Sequence, residues 1–286
     1  MDDLTNLTSK RTIKTLLKRY NTNPSKQLGQ NFLINKSVLK RIIEAADLSP
    51  KDTVLEIGPG IGTLTHKIAK KVKKVIVIEK DKKMVEILQE TLKDFKNVKI
   101  IQGDILTHRI QDLIPNIQYK MVANLPFYLT SSVIRKFLEF PKAKLQKIVL
   151  IVQKEVAKRI CAHCTKMNLL AVCVQFYGKP KIVSSVSKKC FWPSPKVDGA
   201  IIQITPLINT YKRLNNTDVF FKVVKAGFSQ PRKQLVNNLS NMLKLDKGKT
   251  KAWLFKNTIE PSQRAETLDI QDWIDLTRTL TYVTIK

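Results

Sequence analysis

The stretch Asn124-Leu125-Pro126-Phe127 stands where an apolar, strand-like run ends and a helical pattern begins at Thr130. The carbonyl of an Asn124 side chain and the backbone carbonyl of Leu125 can both accept hydrogen bonds from one exocyclic NH2 group, while the Phe127 ring stacks on the base that carries it. This residue set suits methyl transfer to adenine N6. The lone pair of that nitrogen is delocalised into the ring, so acceptors that hold the amine out of conjugation and aim it at a methyl donor favour in-line transfer. Pro126 removes a backbone donor where acceptors are wanted and stiffens the turn. No strong general base is required, because the amine becomes acidic as it alkylates. A plain proline turn after a buried strand would account for Pro126 and Phe127, but not for Asn124 at the strand end.

The methyl donor needs its own site, and "LEIGPGIGTLT" (55–65) supplies a strand, a turn with Gly58, Gly60 and Gly62, and the start of a helix. Glycines let the chain turn sharply and let a ligand approach the backbone closely. Glu79 ends the next apolar run, where an acid can accept both hydroxyls of a ribose. The spacing G-P-G-I-G, with Glu56 inside the preceding strand, favours S-adenosylmethionine over a dinucleotide. A third run ends in "QGDIL", placing Asp104 where a carboxylate can accept from an adenine amino group. Each acid taken singly fits a solvated loop or a helix cap; glycines or acids at three successive strand ends do not. Their neighbours Lys80 and Ile105 complete this candidate cofactor set, with no metal ligand in it.

The elements that must position these residues follow from the hydrophobic pattern. From Lys51 to about Pro206, apolar runs alternate with helical patterns, as in a βαβ architecture. Strands are expected at 52–58, 73–81, 97–104, 119–126 and 145–153, with helices at 63–71, 82–95 and 131–140 between them. Their unbroken Val/Ile/Leu runs indicate a mostly parallel sheet buried on both faces. Segments 181–186 and 199–206 read as late strands, and 168–178 fits strand or helix equally by periodicity. Beyond Asp218 only helical patterns remain. The expected organisation is a Rossmann-like catalytic domain over 1–206, including an N-terminal helical extension over 1–30, then a linker at 207–214 within a helical RNA-binding domain over 207–286.

Composition narrows the partner. The 286-residue chain carries 51 Lys+Arg against 23 Asp+Glu, a formal charge of +28, which points to a polyanion. Lys10, Arg11, Lys14, Lys18, Arg19 and Lys26 precede the first motif; Arg232, Lys233, Lys244, Lys247, Lys249, Lys251 and Lys256 crowd the helical region. Phosphate contacts from such residues set docking, not base choice. No apolar run is long enough to span a membrane, and the N-terminus lacks the pattern of a secretory or mitochondrial leader. Four cysteines are too few for a disulfide framework and fit a reducing, cytoplasmic setting. Cys161 and Cys164 have the spacing of a zinc half-site, yet no second half follows, and Cys161 continues a helical pattern as an unbonded thiol.

Nearly the whole chain resembles the small-subunit rRNA adenine dimethyltransferases, the KsgA-type family. The matching motifs are "QLGQNFLIN" (27–35), "EIGPGIGTLT" (56–65), "VIEKD" (77–81), "QGDIL" (102–106), "ANLPFYLTS" (123–131), "VQKEVAKRI" (152–160), "FWPSPKVDGA" (191–200), "FSQPRKQLVNNL" (228–239) and "RAETL" (264–268). The resemblance implies a class I S-adenosylmethionine-dependent methyltransferase fold with a small C-terminal helical domain. It implies cofactor contact from Asn31, Leu33, Gly58, Glu79, Asp104 and Asn124, with Asn124, Leu125, Pro126 and Phe127 as the catalytic motif. The implied reaction is dimethylation of N6 on two adjacent adenines near the 3′ end of 16S rRNA, on a pre-30S particle, by a monomer that touches no membrane. Three places depart from the family pattern: Phe127 where many relatives carry Tyr, Pro231 where two consecutive arginines are usual, and "CAHCTKMNLLAV" (161–172), where cysteines stand in place of the usual Pro/Gly-containing loop. Two alternatives fit the same fold: a large-subunit adenine methyltransferase conferring macrolide resistance, and a non-catalytic RNA-binding assembly factor.

Overall fold

The computed structural model describes residues 6–114, 117–140, 144–207, 214 and 216–280. The chain forms two compact units, one of residues 1–157 with 180–206 and one of residues 158–179 with 207–286.

The strands are β1 (Phe32–Leu33), β2 (Thr53–Ile57), β3 (Lys74–Glu79), β4 (Val98–Gln102), β5 (Tyr119–Asn124), β6 (Leu145–Gln153), β7 (Gly178–Val186), β8 (Phe191–Trp192) and β9 (Gly199–Pro206). Seven of them make one sheet in the order β4-β3-β2-β5-β6-β9-β7. Neighbours from β4 through β6 run parallel, and β9 runs antiparallel to β6. The β2 residues are all buried, as are all but the first of β3, as expected of a sheet covered on both faces. The chain leaves β2 towards β3 and β4 on one side, and β5 and β6 lie on the other. The reversal puts a crevice at the carboxyl ends of β2 and β5, where ligands bind in open α/β sheets.

Helices α1 (Lys10–Arg19), α2 (Lys36–Ala46), α3 (Thr65–Ala69), α4 (Lys82–Thr91), α5 (Ile110–Leu113), α6 (Thr130–Leu138) and α7 (Lys154–Ile160) accompany these strands. Helix α1 starts at Ser9, whose hydroxyl accepts from Thr12 N, and buries Ile13, Leu16 and Leu17. Those side chains cluster with Phe32, Ile61, Met84 and Ile87, so the N-terminal extension closes directly onto the glycine turn. Arg19 pairs with Glu90, and the Tyr20 hydroxyl donates to the same carboxylate at 2.7 Å, tying the end of α1 to α4.

The second unit contains α8 (Leu169–Tyr177), α9 (Thr217–Gly227), α10 (Leu235–Leu243), α11 (Lys247–Lys256) and α12 (Ile270–Thr279). The ambiguous segment 168–178 is therefore a helix, begun by Asn168, whose side chain accepts from Ala171 N. Periodicity could not choose, because a helix buried on most sides is apolar all round. This helix also amends the expected domain over 1–206: α8 packs on α9 and α12, so residues 158–179 group with the helical unit. Of the expected linker, residues 208–213 lie outside the described residues.

Candidate active site

The glycine turn after β2 is shaped by left-handed backbone at Gly58 (φ +64°) and Gly60 (φ +59°). A β-carbon at Gly60 would stand 3.2 Å from the Phe32 ring, whereas one at Gly58 would find only Pro126, at 3.6 Å. Gly62, also left-handed at φ +86°, serves packing: a β-carbon there would meet Leu88 at 3.2 Å and Thr91 at 3.3 Å. The turn is fixed from β3, since Gly58 N donates to Ile78 O at 3.0 Å and Gly60 N donates to Glu79 Oε2 at 3.1 Å.

Glu79 is buried, and its other oxygen accepts from Asp81 N at 2.9 Å. Burial raises its carboxyl above the ordinary range, opposed by those backbone donors. Beside it, Glu56 is 1 % exposed and its Oε2 has no hydrogen-bond partner. Burial pushes this carboxyl up to about 8; the Thr65 hydroxyl opposes the rise and Glu79 adds to it. That hydroxyl is itself without a well-formed hydrogen bond. Two carboxyls buried together at one strand edge are costly unless a ligand engages them.

Asp104 follows β4 and takes a different environment. Its Oδ1 accepts from Leu106 N at 2.9 Å and its Oδ2 pairs with the Lys80 ammonium at 2.9 Å. The Leu106 N–H, then Lys80, hold its carboxyl below the usual range. The loop beyond it is anchored from α6: Lys136 Nζ donates to the carbonyls of Ile105 at 2.7 Å, Leu106 at 2.8 Å and His108 at 2.6 Å. Burial lowers the Lys136 ammonium pKa, with Asp104 opposing.

At the end of β5, Asn124 Nδ2 donates to Asn31 O at 3.1 Å, and Asn31 Nδ2 donates to Gly29 O at 3.0 Å. A carbonyl can only accept, so this contact orients the Asn124 amide with its nitrogen towards Asn31. Asn124 Oδ1 accepts no hydrogen bond from a described residue. Leu125 turns its side chain inward at 2 % exposure, and Phe127 opens a short 3-10 turn, Phe127–Leu129, that runs into α6. The "QNFL" segment is pinned by the β1–β8 ladder, with Phe32 opposite Trp192 and Leu33 opposite Phe191.

These parts enclose a cleft of about 180 Å³. The candidate cofactor and catalytic residues Asn31, Leu33, Gly58, Gly60, Glu79, Lys80, Asp104, Ile105, Asn124, Leu125, Pro126 and Phe127 line it, whereas Gly62 does not. Sequence reasoning missed Phe191 and Pro195 as cleft walls, Tyr128 at its rim, and Lys136 behind its loop. Phe191 and Pro195 lay inside a quoted motif whose place in the fold was open; Lys136 had no sequence signal, since a helix lysine ordinarily faces water.

Elsewhere the four cysteines form no disulfide. Cys161 is half-buried and burial raises its thiol pKa, while the exposed Cys164 thiol donates to Thr267 O at 2.9 Å. Among the described residues no helix is long and apolar enough to cross a membrane.

A doubly wound sheet with a glycine turn, buried acids and an amide at successive strand ends defines a class I methyltransferase. Residues 21–281 match the family model described as ribosomal RNA adenine dimethylase. Among similar proteins, a ribosomal RNA small subunit methyltransferase A of Dehalococcoides mccartyi is 45 % identical over 91 % of this chain and 89 % of its own. One of that description from Clostridium botulinum is 40 % identical over 91 % and 95 %. A crystal structure of a dimethyladenosine transferase from Plasmodium falciparum superposes with TM-score 0.73 at 27 % identity, over 87 % of this chain and 97 % of that one. The 23S rRNA methyltransferase ErmE shares the fold at TM-score 0.71 and 24 % identity, over 88 % and 100 %. The chain belongs to the ribosomal RNA adenine dimethylase family.

Proposed function

We propose that this enzyme uses S-adenosylmethionine to dimethylate N6 of two adjacent adenines near the 3′ end of small-subunit rRNA, within a pre-30S particle. The observation that carries this reading is the Asn124 amide, held by its nitrogen so that its carbonyl oxygen is left to accept in a cleft lined by Glu56, Glu79 and Asp104. The names of the similar proteins from Dehalococcoides mccartyi and Clostridium botulinum support the small subunit as substrate.

The cleft fits the cofactor by its donor and acceptor set. Two left-handed glycines bring bare backbone to the cleft, and the buried Glu56 and Glu79 with the partly buried Asp104 match a ligand carrying an ammonium group, a ribose diol and an adenine amine. When bound, S-adenosylmethionine supplies an electrophilic methyl on a sulfonium. Glu79 retains lone pairs to accept from both ribose hydroxyls, and Asp104, flanked by Lys80 and Ile105, accepts from the adenine amine. The main chain at Asn31 and Leu33 and the turn at Gly58 and Gly60 form the remaining wall.

For the substrate, Asn124 Oδ1 and the Leu125 carbonyl accept from the target amine and Phe127 stacks on its ring. Together they hold N6 in line for attack, and electrostatic positioning of this type accounts for most of the acceleration available without a base. The target adenine must leave its stack to enter. The exposed Arg232, Lys233, Lys244, Lys247, Lys249, Lys251 and Lys256 of the helical unit supply phosphate contacts for docking. We place the enzyme as a cytoplasmic monomer acting where small subunits assemble.

Methyl transfer from labelled cofactor to unmethylated small subunits tests the reading, with the modified bases mapped. Label on two adjacent adenines is expected; label confined to large-subunit RNA, or none, would overturn it.

A further inference from the structure

Among the aromatic side chains lining the cleft, Phe32 and Phe191 are buried and Phe127 is half-buried, but Tyr128 is 55 % exposed. Leu106, delivered by the loop after β4, lines the same cleft and is 40 % exposed. A single exposed apolar residue is ordinary; an exposed ring and an exposed leucine from two strand ends, at the rim of one cleft, are placed for a ligand. The backbone that carries the ring is fixed. Tyr128 follows Phe127 in the 3-10 turn that Leu129 N closes onto Pro126 O at 3.0 Å, and its ring edge comes 3.6 Å from where a β-carbon on Gly29 would stand.

We propose that Tyr128, flanked by Leu106, is a stacking subsite for the nucleobase next to the target adenine. The inference rests on the reading that the substrate presents two adjacent adenines. Once one of them leaves its stack for the cleft, its neighbour loses a stacking partner at the cleft mouth. Phe127 and Tyr128 are consecutive, one ring inside and one at the rim, so the pair matches two consecutive bases in different environments. Stacking on an aromatic ring tolerates any base and favours large ones, so this subsite prefers a purine beside the target. It gives the enzyme a means of choosing an adenine by its neighbour without reading that neighbour's hydrogen-bonding edge.

The test crosses two changes in single-turnover methyl transfer to unmethylated small subunits. The enzyme is wild type, Tyr128→Ala, Tyr128→Phe or Tyr128→Trp; the particle carries either the adjacent adenine pair or one adenine beside an abasic residue. On intact particles Tyr128→Ala is expected to lose roughly 5- to 150-fold in kcat/KM, the effect of one base stack. Phe and Trp should keep activity within about 2-fold, because stacking needs no hydroxyl. On the abasic particle wild type and Tyr128→Ala should converge, and cofactor affinity by calorimetry should be equal for both. An undiminished Tyr128→Ala on intact particles, or an equal loss on intact and abasic ones, would overturn the subsite while leaving the methylation reading in place. A wild-type enzyme that modifies neither particle would overturn both.

Discussion

The interior of the helical unit and the cleft edge of the sheet unit treat burial in opposite ways. In the helical unit, Phe176 stacks on Phe220 at 4.2 Å, Phe221 meets Phe176 edge-on at 5.6 Å, and Trp273 packs over Gly227, where a β-carbon would collide with the indole at 2.3 Å. Those rings supply large apolar area in preferred geometries. At the cleft, by contrast, Glu56 and Glu79 are buried side by side, and one Glu56 oxygen has no partner. Removing such groups from water lowers the stability of the empty protein. The difference is one of charge: the helical interior buries rings, with the Trp273 indole N–H also unpartnered, whereas the cleft buries two ionisable carboxyls that a bound ligand can engage.

Substitutions can break that contrast. Phe220→Ala removes a fully buried ring and is expected to cost about 3–5 kcal/mol of stability, read as a fall in Tm with calorimetric cofactor affinity retained below the transition. Lost affinity with an unchanged Tm would erase the distinction.

Asn124→Ala is expected to reduce the rate of methyl transfer by about 100- to 1000-fold, the effect of removing one preorganised polar contact at a reacting group. Cofactor binding and Tm should change little; retained turnover would remove the amide from the chemistry.

Glu79→Ala should weaken cofactor affinity by ~1.5–3 kcal/mol for each hydrogen bond lost to the carboxylate. Calorimetry that returned the wild-type affinity would place the ribose elsewhere.

The burial of Glu56 is read by a pH profile. The Glu56 carboxyl titrates near 8 in the folded protein against an ordinary value of 4.5, so between those pH values the folded chain holds a proton that the unfolded chain has released. The contribution of Glu56 to stability therefore falls as pH rises from 4.5 to 8 and is level beyond. Glu56→Gln cannot ionise, so its advantage over wild type should grow by about 1.4 kcal/mol for each pH unit between 4.5 and 8, to roughly 4–5 kcal/mol by pH 8, with little difference at pH 4.5. Parallel Tm-versus-pH curves for the two proteins would mean that Glu56 is charged when buried.

Much of the site was legible because its signals are local. A strand followed by G-P-G-I-G, the acid ending the next strand and the amide ending a later one are each set within a few residues by backbone conformation and alternation. Parallel registers such as Ile57 beside Ile78 and Glu79 beside Gln102 then bring those ends to one edge. Helix α8 was not legible, because a segment apolar on every side satisfies both periods and only its neighbours decide.

The amino-acid sequence by itself determined the sheet, its glycine turn, the polar residues at the strand ends and the strongly basic character, since each follows from residue type and short-range spacing. Tertiary structure decided what no short window contains. It turned the Asn124 amide through a contact with Asn31, 93 positions away, and it drew the Lys136 ammonium onto three carbonyls of the Asp104 loop. It also left Glu56 without a full set of partners and Tyr128 facing water at the rim. The orientation of a polar group is fixed by which partners reach it, and those partners come from segments that meet only when the chain has folded.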